Sequence, residues 1–196
     1  MNLPVSPPPR LAEEHLRQLG AARINARKIN RAVSVAKSDG WVIAVFAGLT
    51  LVFGLTDIPS IIISLIFGAL AFFELKGAGK LRRLDPDAPR MLGYNQIAMA
   101  VMLIAYASWH IVSELTGHGE LNSALGTDPQ VREMLQSSAP LIRSIMLGFY
   151  GLLIAIAIFC QGGMALYYFS RLKYLEAYVK ETPPWILAMQ KAGMSI

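Results

Sequence analysis

Charge is scarce in this sequence. Asp, Glu, Lys and Arg make up 16% of its 196 residues, where a soluble domain carries about 25%. The shortfall excludes a disordered chain, an array of polar repeats and an ordinary soluble enzyme. Cysteine is scarcer still. Cys160 stands alone, so no intrachain disulfide forms, and in its apolar stretch it reads as a small hydrophobe. Histidine occurs three times. No HExxH or CxxC spacing is present, and no metal site is expected. GxGxxG, Walker-type and GxSxG motifs and the paired-Asp motif of phospholipid synthases are missing too. Neither catalysis nor a cofactor is expected.

What the chain has instead is apolar residues: 54% of the sequence, with a mean hydropathy of +0.44. They are concentrated where charge is absent. Gly40–Thr56 holds 17 uncharged residues, Ile58–Phe73 16, Met91–Ser113 23 and Ser144–Ser170 27. A hydrocarbon core of about 30 Å needs about 20 helical residues. The third and fourth runs span by length. The first two share a tight turn, Thr56-Asp57-Ile58-Pro59-Ser60, and form a helical hairpin whose ends borrow flanking residues; the rival is a re-entrant hairpin. Leu75–Leu84 keeps helical spacing and extends the second span past the membrane. The fold class is all-α: a polytopic integral membrane protein, a four-helix transmembrane bundle with an N-terminal cytoplasmic amphipathic helix.

Basic residues orient the bundle. Residues 1–39 hold seven, Arg10, Arg17, Arg23, Arg27, Lys28, Arg31 and Lys37. The second connection holds five, Lys76, Lys80, Arg82, Arg83 and Arg90. The tail holds four, Arg171, Lys173, Lys180 and Lys191, and only Arg132 and Arg143 lie on the other side. The positive-inside rule puts both termini in the cytoplasm, in the inner membrane of a cell. The net charge of +5 is then a topology signal and not a nucleic-acid surface. About 40 mostly polar residues precede the first apolar run, so that span is expected to insert and stay rather than serve as a cleaved signal. Trp41, Tyr94, Tyr167 and Tyr168 at inner ends, and Trp109 at an outer end, suit an aromatic belt.

The organisation expected is a basic amphipathic helix over 1–39, a first hairpin over 40–76 and a helical connection over 77–90. A second hairpin over 91–169 follows, with an outer loop at 114–140, then a tail over 170–196. On the first helix Leu19, Ala22, Ala26, Ile29, Val33 and Ala36 form one stripe, with a break allowed at Gly20. The stripe suits an anionic leaflet or the protein's own helical extensions. The outer loop carries a capping-box spacing at Thr127–Gln130 and a short helix through Val131, Met134 and Leu135. Pro86 and Pro89 separate two helices, and Pro183-Pro184 breaks the tail. A weak internal parallel sets Phe72-Phe73, Leu81 and Gln96 against Tyr167-Tyr168, Leu175 and Gln190.

Small residues at helical spacing mark the candidate packing or oligomer faces: Ser60, Ser64 and Gly68, Ala44 and Gly48, Gly151 and Ala155. Such faces let helix backbones approach closely in lipid. Gln161, beside Gly162-Gly163 that interrupt the fourth span, and Asn95 with Gln96 are the candidate intramembrane polar contacts. Glu74 pairs with Lys76 or with the Arg171/Lys173 region. His110, His118, Glu114, Glu120 and Asp128 read as a solvated outer rim. The span count is similar to that of small multidrug-resistance exporters. Coupled export in that family uses a carboxylate in the first span, and Gly40–Thr56 has none, so the activity does not carry over. The expected function is a non-catalytic scaffold or accessory subunit of a membrane complex, with the bilayer and a second copy or a protein partner around it. Alternatives are a small homo-oligomeric channel or transporter, or a lipid-modifying enzyme centred on Glu74, Asn95 and Gln96.

Overall fold

The computed structural model describes residues 13–55, 58–119 and 138–194. Helix takes 89% of them and no strand appears among them, so the chain is all-α as the sequence predicts. The elements are α1 (Glu13–Asn25), α2 (Arg27–Phe53), α3 (Ile58–Arg82), α4 (Ala88–Leu115), α5 (Ala139–Ile156), a π-helical turn (Ala157–Gln161), α6 (Gly162–Glu181) and α7 (Pro184–Lys191). Four helical stretches, Arg27–Phe53, Ile58–Arg82, Ala88–Leu115 and Ala139–Glu181, are long and apolar enough to cross a membrane. They contain the last three uncharged runs and the first as far as Phe53. The expected outer-loop helix near Val131 lies outside the described residues.

The chain forms two compact units, Met1–Arg90 with Ser170–Ile196, and Met91–Phe169. In the first, α1 and α2 are almost one helix. Ala26 N–H bonds to Ala22 O and Asn30 N–H to Ala26 O, each at 2.8 Å, which carries helical bonding across the joint. Gly20 does not break it, because one glycine costs only about 1 kcal/mol against Ala in a helix interior. Ala22, Ala26, Ile29, Val33 and Ala36 are buried, and the six cations from Arg17 to Lys37 are exposed. The apolar stripe is therefore covered by the protein itself. Part of the cover is the tail. Trp185 Nε1 donates to Gln18 Oε1 at 3.1 Å, and the Trp185 ring stands edge-on to His15. Arg82 donates to Gly193 O at 3.2 Å. Tyr178 OH donates to Gln190 Oε1 at 2.9 Å. Burial raises the Tyr178 phenol above its ordinary 10.0, opposed by hydrogen bonds with Thr182 and Gln190, so it stays a donor at neutral pH.

The α2–α3 hairpin closes through small residues. Ala32, Ala36, Gly40, Ile43 and Ala47 form the buried face of α2. A Cβ on Gly40 would meet the Leu75 side chain at 2.9 Å and its backbone N at 3.3 Å, so only glycine permits this approach. At the turn, a Cβ on Gly54 would fall on the Ser60 side chain. Glycine there lets the chain reverse within a few residues.

Helix α3 ends in a Schellman motif. Asp85 N–H reaches Lys80 O and Leu84 N–H reaches Leu81 O, each at 3.1 Å. The residue with positive φ is Leu84, at 60°, where glycine is usual. Leu84 is 5% exposed, and burying a leucine is worth about 2 kcal/mol. That exceeds the roughly 1 kcal/mol of left-handed backbone. Lys80 pairs with Asp85 at 3.3 Å across the same cap.

In the second unit, a Cβ on Gly93 would strike the Phe169 ring at 2.6 Å, and Tyr94 meets the same ring edge-on. Helix α4 ends in the same motif as α3, with His118 N–H on Ser113 O at 2.9 Å. Here the usual glycine, Gly117, holds φ 81°. The Gly162-Gly163 pair does not interrupt the fourth span. Gly162 has φ −60° and ψ −45°, and the π turn runs straight into α6. Without competing water, a break would leave backbone groups unbonded, so the helix continues. Trp41, Tyr94 and Trp109 are exposed as belt residues should be, but Tyr168 is fully buried and belongs to the core.

Candidate functional site

The small residues singled out by spacing fall into three environments. Ser60 packs at the hairpin turn against Gly54. Ser64 is buried, and its Oγ donates to Ile61 O at 2.8 Å, which satisfies the hydroxyl within its own helix. Gly68, Ala44 and Ala155 are half-buried, and Gly48 and Gly151 are exposed. At Gly48, Gly68 and Gly151 a Cβ would meet nothing within 4 Å. The tight seam of α2 runs instead through Ala36, Gly40 and Ala47.

One open face stands out on α5. Ser144, Gly148, Gly151 and Ala155 follow one another at steps of four, three and four, a single stripe on a helix. Ser144, Gly148 and Gly151 are exposed, and a Cβ on Gly148, like one on Gly151, meets nothing within 4 Å. The Ser144 hydroxyl donates to Pro140 O at 2.9 Å, leaving the face smooth and uncharged. The stripe stops at the π turn. An extra residue in one turn rotates everything beyond it by about 100°, so the face does not continue into α6. Within the turn Cys160 is exposed and Gln161 is half-buried.

Titratable side chains gather at the far end of α4. Tyr106, His110 and Glu114 lie four apart on one helix face, and α5 adds Tyr150. His110 stacks on Tyr150 with ring centroids 4.7 Å apart and planes 14° from parallel. Tyr106 meets His110 edge-on at 4.5 Å. Glu114 is 1% exposed, and a Cβ on Gly119 would fall on its carboxylate. Glycine at 119 is what allows the backbone at that position to sit against Glu114. The solvated rim expected at His110 and Glu114 is thus a packed cluster, because Tyr106 and Tyr150 flank His110 and Gly119 sits against Glu114. His118 is exposed and does form rim, with Nδ1 3.4 Å from Thr116 Oγ1. Glu120 and Asp128 lie outside the described residues. Counting charges missed the cluster, since histidine and tyrosine do not interrupt an uncharged run. Their four-residue spacing was the available signal.

The remaining polar candidates are buried but fall in different units. Asn95 and Gln96 are buried on α4, in the second unit. Glu74 is fully buried on α3, in the first. Of its expected partners, Lys76 is exposed and lies over the Phe72 ring at 5.6 Å. No family model, curated protein or solved structure matches this chain.

Proposed function

We propose that this chain is a multi-pass protein of the inner membrane, both termini cytoplasmic, acting as a non-catalytic scaffold or accessory subunit of a membrane complex. The open α5 face carries the reading. Glycine costs a helix about 1 kcal/mol against Ala, and Gly148 and Gly151 recover nothing by close packing among the described residues. In lipid, such a face is repaid when another helix lies against it. The shares of the four spans buried by the protein itself support the same reading: 22%, 22%, 11% and 11%. Topology rests on the sixteen Lys and Arg of one side against two of the other, and on the positive-inside rule.

The test is to replace Gly148 and Gly151 by Leu in the tagged chain, extract it from its own membrane in mild detergent, and compare masses. A complex containing a stoichiometric foreign subunit that is lost in both variants supports the reading. A complex unchanged by both substitutions overturns it.

A second reading has one specific observation behind it. A histidine held between two tyrosines within a span, beside a buried carboxylate, is the kind of group that marks proton paths. On this reading the chain is a small homo-oligomeric transporter, and His110→Gln abolishes proton-linked flux in reconstituted vesicles. Flux unchanged by that substitution removes it.

A further inference from the structure

A second apolar strip runs along α1, on the side away from the buried one. Leu16, Gly20 and Ile24 follow at steps of four and share a face. Leu16 is 56% exposed and Ile24 62%, and a Cβ on Gly20 would meet nothing within 4 Å. Cations edge the strip, Arg23 and Arg27 on one side, Arg17 and Lys28 on the other. At its end Ile24 enters the wall of a cavity of about 220 Å³, to which α6 contributes Tyr174, Ala177, Tyr178 and Glu181. Lys28 is held at the rim, its Nζ 4.0 Å from the centroid of the Tyr174 ring. The face is thus a knob, a notch and a hole in line, with positive edges.

The arginines of this face are not neutralised among the described residues. Between Glu14 and Asp39 stand six cations and no acid. Arg17, Arg23, Arg27 and Arg31 form no ion pair among the described residues. Arg23, Arg27 and Arg31, four apart, repel one another. An acidic partner relieves that repulsion. A leaflet and a nucleic acid fit less well. Helical bonding through Ala26 carries α1 onward from α2. Ile24 therefore stands about 24 Å of helix from Gly40, where the first uncharged run begins. That is about three Debye lengths at physiological ionic strength, beyond the reach of leaflet charge. A nucleic acid offers phosphates to the arginines but nothing to Leu16 and Ile24. An apolar centre with a charged rim is the pattern of a protein–protein interface, and anchors at helical spacing suit a helix laid alongside.

We propose that this face binds an acidic amphipathic helix of a partner protein, with an apolar side chain in the cavity beside Ile24 and carboxylates against Arg17, Arg23 and Arg27. This contact rests on the cytoplasmic placement of α1 in the proposed function and leaves the α5 face free.

The test uses the full chain in a non-ionic detergent at physiological ionic strength. The probe is a labelled synthetic helix of about 20 residues, leucine along one face and glutamate along both edges. Its control has the same composition, shuffled so that the leucines share no face. Fluorescence anisotropy reads binding. The patterned helix is expected to bind about 10-fold tighter than the shuffled one. Ile24→Gln should remove that advantage, a loss of about 10-fold as for an isoleucine no longer buried. Leu16→Gln, at the other end of the strip, should act likewise. The Arg23→Gln, Arg27→Gln double variant should weaken both peptides and flatten their salt dependence. Lys37→Gln, an exposed cation of α2 outside the strip, should leave both unchanged. An unaltered unfolding midpoint confirms that each variant folds. Equal binding of the two peptides overturns the face, as does patterned binding untouched by Ile24→Gln and Leu16→Gln. Displacement of the patterned helix by phosphatidylglycerol vesicles or a single-stranded DNA oligomer at equal concentration overturns a protein helix as the occupant. Binding in detergent reads the face in either orientation, so its failure leaves the topology and the membrane complex standing.

Discussion

The α2–α3 hairpin and α5 use glycine to different ends. In the first, Gly40 brings α2 against Leu75 so closely that a Cβ would sit 2.9 Å from that side chain. In the second, Gly148 and Gly151 face outward with nothing within 4 Å of a Cβ. The first unit also binds its ends together, through Trp185 to Gln18 and Arg82 to Gly193. A glycine in a membrane helix is thus a packing residue in one place and an open face in another. What separates the two is whether a helix of the same chain already lies there.

Substitutions at these glycines give the widest contrast. Gly40→Leu should destabilise the isolated chain by about 3 kcal/mol or more, since neither Leu75 nor its backbone can move far. Thermal unfolding in detergent reads this directly. Gly148→Leu should not lower that midpoint, and should raise it by the equivalent of up to about 0.8 kcal/mol through helix propensity, while removing the larger complex. If Gly148→Leu destabilises the chain as much as Gly40→Leu, the distinction between a packed glycine and an open one fails.

The two Schellman caps sharpen the comparison at a smaller scale. Leu84→Gly relieves about 1 kcal/mol of left-handed strain but loses about 2 kcal/mol of burial, a net loss of about 1 kcal/mol. Gly117→Ala gains no burial and should cost about 1 kcal/mol from strain alone. Stabilisation by Leu84→Gly would show that the Leu84 side chain contributes less than its burial suggests.

Orientation needs no energy scale. In a Cys160→Ser background, His118→Cys should react with an impermeant maleimide from outside intact cells, and Met194→Cys only after lysis. The reverse pattern would invert the topology.

The smallest effect belongs to Tyr178. Phe there removes one buried hydrogen bond, about 1 kcal/mol. Because burial raises this phenol above 10.0, the unfolded chain loses the proton first as pH rises. The Tyr178 contribution is therefore complete below pH 10 and lost above it. Tyr178→Phe should flatten the alkaline fall in stability; an unchanged slope would assign it to other groups.

The spans were legible because lipid tolerates few charges, and gaps between charges locate them. The stripe from Leu19 to Ala36 was legible because water wets its other side and leaves a polar–apolar alternation to read. Inside lipid that alternation disappears. Apolar residues suit both faces, so spacing alone drew attention to Ala44 and Gly48 while the buried seam passes through Gly40 and Ala47. The His110 cluster was hidden for a related reason: neither aromatic rings nor a neutral imidazole breaks a hydrophobic run. Leu84 gave no sign of its left-handed backbone, since burial and not residue type holds it there.

The most direct test of the central claim is the mass of the complex extracted in mild detergent, measured for the natural chain and for Gly151→Leu. The expected result is a stoichiometric assembly with a foreign subunit that falls to the mass of the chain alone in the variant, with its unfolding temperature no lower than that of the natural chain. An assembly of the same mass in both, or a natural chain extracted without a partner, would contradict it.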